Sequence, residues 1–90
     1  MKLYQFSWDM NRGGSVEGVF TADPEIINAS IGKDVYFGEI LGKHSEVYGG
    51  LDKTDVVQLD VSDEFVKEFN KQFPNGFGYN PLNYLSEDRG

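Results

Sequence analysis

Ninety residues suffice for one domain with a single core and are too few for a second domain that buries its own apolar surface. Apolar content of 39% with seven Phe, five Tyr and one Trp argues against disorder, while a formal charge of -7 disfavours direct binding to duplex nucleic acid, which needs a basic face. The absence of cysteine excludes disulfides and thiolate chemistry.

The chain opens on an alternating segment, residues 2 to 9, that places Tyr4, Phe6 and Trp8 on one face and Leu3, Gln5, Ser7 and Asp9 on the other. Asn11-Arg12-Gly13-Gly14 punctuates it. Residues 15 to 22 resume the period with Val16, Gly18, Phe20 and Ala22 on one side, which predicts an antiparallel hairpin. No apolar run reaches the length of a signal peptide or membrane span, so a soluble cytoplasmic protein with no membrane partner is expected.

Asp23-Pro24-Glu25 predicts a helix start, with Asp23 as N-cap, proline in the first helical position and a glutamate facing the positive end of the dipole. Ile27 and Ile31 share a face, and Gly32 suits the left-handed residue after a helix of about two turns. Val35 to Leu41 and Glu46 to Leu51 read as two strands joined through Gly42-Lys43-His44-Ser45, with Gly49-Gly50 weakening the second. Val56 to Val61 reads as a fifth strand.

Ser62 then caps a helix whose first turn carries Asp63 and Glu64. Phe65, Phe69 and Phe73 recur with Val66 beside them, so this aromatic stripe is expected in the core, and Pro74-Asn75-Gly76 ends the run. Residues 77 to 85 are too apolar for a frayed tail and are expected to dock on the sheet or on a second copy; Ser86 to Gly90 is expected to be disordered. The predicted order β-β-α-β-β-β-α defines one α+β domain over residues 1 to 85, a mainly antiparallel sheet of about five strands with two helices on one face. A homodimer is compatible with so small a core.

Chemistry-bearing patterns are sparse. Asp9, Asn11 and Gly14 reproduce the first half of a calcium loop, but Phe20 fills the slot of the bidentate glutamate, so no metal or cofactor is expected. His44 beside Ser45 lacks a second histidine, a nucleophile elbow and metal-ligand spacing, so no catalytic residue is assigned and the chain is not expected to be an enzyme.

As a binding loop the same stretch is better supplied. Lys43 gives charge, His44 and Ser45 give donors, Glu39 and Glu46 flank them, Tyr36 and Tyr48 offer stacking surfaces, and Arg12 adds a guanidinium in the first turn. These eight residues form the candidate ligand- or partner-binding set; a solvated hairpin tip, in which Lys43 and Glu46 answer each other, is the bland alternative. Trp8 is expected as a core or interface anchor.

Phe6-Ser7-Trp8-Asp9, Tyr36-Phe37-Gly38-Glu39 and Gly42-Lys43-His44-Ser45-Glu46-Val47-Tyr48-Gly49, with Asn80-Pro81, resemble small acidic proteins carried by bacteria and their phages. That resemblance implies an inhibitor of host or defence machinery acting by stoichiometric binding, and the acidic charge favours a larger, basic protein or complex as its partner. The alternative expectation is an oligomer that sequesters a nucleotide-derived signal through Arg12, Lys43, His44 and aromatic stacking.

Overall fold

In the computed structural model, residues 1–10, 14–40 and 46–85 are described. Two long strands, β1 (Lys2–Met10) and β2 (Gly14–Ala22), pair antiparallel with Tyr4 opposite Phe20 and Trp8 opposite Val16. This register places the two apolar rows on one face, as alternation requires. Helix α1 (Pro24–Ser30) follows, with Asp23 at its N-cap position and Gly32 at φ +91° just past its C-cap. No side-chain capping bond forms at Asp23; its carbonyl instead accepts from the Ile26 and Ile27 amides.

Strands β3 (Asp34–Gly38) and β4 (Val47–Gly50) pair with each other and, among the described strands, with no other. Strand β5 (Val56–Gln58) returns to β1, and after helix α2 (Asp63–Gln72) a short β6 (Phe77–Gly78) joins β2. The architecture is therefore α+β in the expected element order, but the strands divide into an antiparallel sheet β5-β1-β2-β6 and a separate two-stranded sheet β3-β4. A single sheet of about five strands is not formed, because β6 and β5 occupy both outer positions beside the first hairpin. A 3-10 turn, Pro81–Tyr84, completes the described chain.

The two sheets share one core. Tyr4, Phe6, Trp8, Val16, Phe20 and Val56 from the larger sheet meet Val35, Phe37 and Val47 from the smaller, with Ile27 of α1 among them. Phe37 is the hub: its ring centroid lies 5.8 Å from Phe6, 5.6 Å from Trp8, 5.6 Å from Tyr79 and 4.7 Å from Tyr84. Segment 77–85 docks as expected, with Tyr79, Leu82 and Leu85 against this core and Leu85 bridging Val35.

The expectation of two helices on one face is corrected. Thr21 points away from Phe20 and Ala22, and its hydroxyl donates to the Asn70 amide oxygen of α2 at 3.0 Å. Leu3, opposite Thr21 in the ladder, is buried on that same outer face. Helix α2 thus covers the side of the larger sheet opposite α1 and β3-β4. Ser62 caps it as predicted, accepting from the Phe65 amide at 3.1 Å.

The aromatic stripe is corrected with it. Val66 is the buried residue of α2, while Phe65 and Phe73 are 51% and 40% exposed. With Val66 and Asn70 turned to the sheet, Phe65 falls about 100° away per residue step, on the helix flank. The outer sheet face beneath carries Gln5, Ser7, Asp9 and Glu17, all exposed, and offers these rings little apolar cover.

Close approach of the C-terminal segment is fixed by two glycines. Gly18 and Gly78 oppose each other in the β2-β6 ladder, and a Cβ on Gly18 would collide with the Tyr79 backbone. The Tyr79 amide donates to the Glu17 carbonyl at 3.0 Å across this contact.

Candidate functional site

The smaller sheet presents one face to the core and one to solvent. Val35 and Phe37 on β3 and Val47 on β4 point inward; Tyr36 and Tyr48 point out. Between Tyr36 and Gly38 the register slips by one residue, so that Phe37 and Gly38 together oppose Val47. Gly38 absorbs this bulge at φ +85°, a conformation that costs glycine little. The slip sets Tyr36 opposite Tyr48, with ring centroids 6.2 Å apart and tilted by 39°.

These rings are 50% and 66% exposed. Tyr36 is tied down by its hydroxyl, which donates to Glu46 Oε2 at 2.5 Å. That bond to the Glu46 carboxylate, before the lesser effects of desolvation and the charges of Glu46, Glu39 and Tyr48, raises the Tyr36 pKa above the ordinary value of 10.0. Behind the pair, Gly49 sits over the Trp8 indole, so the outward face is backed by core.

Of the eight predicted residues, the structure gathers four, Tyr36, Glu39, Glu46 and Tyr48, on or beside this face. Arg12, Lys43, His44 and Ser45 lie outside the described residues. So do Asn11 of the calcium-like loop and the expected tail 86–90. Among the described residues, no group of three or more His, Cys, Asp or Glu could hold a metal ion, and no helix is long and apolar enough to cross a membrane.

Chemically, two exposed π faces beside carboxylates can attract an organic cation. An ammonium or guanidinium above a tyrosine ring gains from the ring quadrupole, and a nearby carboxylate supplies the counter-charge. The polar groove that Asn75, Asn80 and Asn83 line with Thr21 is partly spent on structure. Its Asn80 amide oxygen accepts from the Leu82 amide at 2.9 Å, and Thr21 anchors α2.

Sequence reasoning named both tyrosines but missed their pairing, which depends on the register slip between Tyr36 and Gly38. It also missed the exposed aromatic flank of α2. No family model, curated protein or solved structure matches this chain.

Proposed function

We propose that this chain is a non-enzymatic binding protein, an inhibitor that blocks a larger, basic macromolecule by stoichiometric association through the outward face of β3-β4. The observation that carries this reading is the exposed Tyr36-Tyr48 pair with the Tyr36 hydroxyl held by Glu46. Exposed aromatics whose rotamers are already fixed lose little entropy on binding, and they are the side chains that most often anchor interfaces. A formal charge of -7 supports the same partner chemistry, since it attracts a basic surface over distance and repels phosphate.

The test is affinity purification from cells of the natural source, followed by native mass spectrometry and titration with the partner so identified. The expected result is a larger basic protein at fixed stoichiometry, with affinity falling as salt rises. Tyr48→Ala should weaken the complex by about 2 kcal/mol while changing the stability of the free chain by under about 1 kcal/mol. A complex indifferent to Tyr36→Ala and Tyr48→Ala together would overturn the reading. An oligomer that instead carries a bound small molecule would favour the nucleotide-sequestering alternative.

A further inference from the structure

The outward face of β3-β4 carries acid and aromatic groups and nothing basic. Alternation along β3 puts Asp34 on the same side as Tyr36. On β4, Tyr48 and Gly50 share that side, and the hydrogen bond from the Tyr36 hydroxyl places the Glu46 carboxylate there too. Asp34 lies opposite Gly50, one pair along from Tyr36 opposite Tyr48, so the two rings sit between a carboxylate at either end. Gly50 puts no side chain over its end, where an added Cβ would meet open space. Neither strand contains a lysine or arginine.

The arrangement of the rings decides which cation suits them. A flat group sandwiched between two rings needs them parallel and about 7 Å apart. Here the centroids are 6.2 Å apart and the planes tilted by 39°, so a ligand lies on an open ring face, of which Tyr48, 66% exposed, offers the larger. Two rings on one side of a ribbon do not surround a guest. A compact, strongly hydrated ammonium gains most where rings enclose it, whereas a guanidinium is planar, weakly hydrated and stacks on a single aromatic face. Its N–H edge stays free to donate while it stacks. A carboxylate accepts several hydrogen bonds, so Glu46 can answer the Tyr36 hydroxyl and a guanidinium together.

We propose that this face recognises an arginine side chain of the partner, with the guanidinium flat on Tyr48 and its N–H groups on the Glu46 carboxylate that Tyr36 holds in place. The inference rests on the inhibitor reading for its partner and adds the group that is recognised.

The test is an NMR titration of the full chain with N-acetyl-arginine amide and with its lysine and citrulline analogues, citrulline keeping the shape of arginine without the charge. The expected result is that arginine shifts the ring resonances of Tyr36 and Tyr48, lysine binds about threefold more weakly, and citrulline leaves the rings unmoved. Glu46→Gln should weaken arginine binding by about threefold. Tyr48→Leu should abolish the ring-current shift of the arginine δ protons. Circular dichroism checks both variants, and if either is unfolded the comparison of arginine with citrulline on the parent chain decides the matter. Rings unmoved by arginine, a lysine analogue that binds as well, or binding indifferent to Glu46→Gln in a folded variant would each overturn the proposal. The inhibitor reading is judged separately on the partner complex: if Tyr36→Ala with Tyr48→Ala weakens that complex while the arginine probe fails, the reading stands and the arginine assignment falls.

Discussion

The Tyr36 phenol is exposed, yet its proton is held by a neighbour: loss of that proton would set a phenolate against Glu46, with Glu39 and Tyr48 adding to the repulsion. The folded chain therefore binds this proton more tightly than the unfolded one. Its contribution to stability is fully present below pH 10.0, the ordinary tyrosine value, and is lost as pH rises through the higher folded value. Glu46→Gln removes the carboxylate charge, so Tyr36 should titrate at lower pH in a ring-resolved NMR titration. An unchanged Tyr36 curve would mean that the Tyr36-Glu46 bond does not hold in solution. Tyr4 is raised too, mainly by burial and secondarily by Asp23, and should not respond to that substitution. The two tyrosines thus separate a surface cause from a core cause.

Among the elements, the β2-β6 contact is the least tolerant of added volume. Gly18→Ala drives a methyl into the Tyr79 backbone, which cannot swing aside as a long side chain could. The expected cost is about 3 kcal/mol or more, and the melting temperature should fall by about 12 °C or more. A variant that melts with the parent chain would show that β6 does not pack as described. Much at this scale was legible. The alternation of Tyr4, Phe6 and Trp8 against Val16, Phe20 and Ala22 gave the first hairpin its buried face, and Ser62 marked the start of α2. Helical periodicity, however, says which residues share a face and not how much of that face a sheet will cover. Phe65, Phe69 and Phe73 share one, but Val66 and Asn70 took the contact. For the candidate site, Tyr36 and Tyr48 were visible as residues, while their pairing depends on the slip at Gly38, which no local pattern encodes. The division into two sheets was equally hidden, because β5 and β6 reach their partners across most of the chain.

Across the whole molecule, stability rests on a core that both sheets share rather than on either sheet alone. A two-stranded ribbon is marginal in water by itself, so β3-β4 persists because Phe37 and Val47 are buried against the larger sheet. Phe37→Ala removes the ring that touches Phe6, Trp8, Tyr79 and Tyr84 at once. It should cost about 3–5 kcal/mol and still give one unfolding transition in urea, with fluorescence and far-ultraviolet dichroism coinciding. Separate transitions would show that the small sheet melts as its own unit.

The crossing of Gly78 over Gly18 also orders events in time. The first hairpin is made before the strand that pairs along the outer edge of β2, which lies about sixty residues further along the chain. At roughly 5–20 residues per second, the Gly18 position of β2 waits several seconds for the Tyr79 backbone that closes over it, whereas Phe6 and Trp8 can be covered sooner by Phe37. A nick just before residue 77 should therefore free the edge of β2 at Gly18 and Val19 while leaving Phe37 against Phe6 and Trp8.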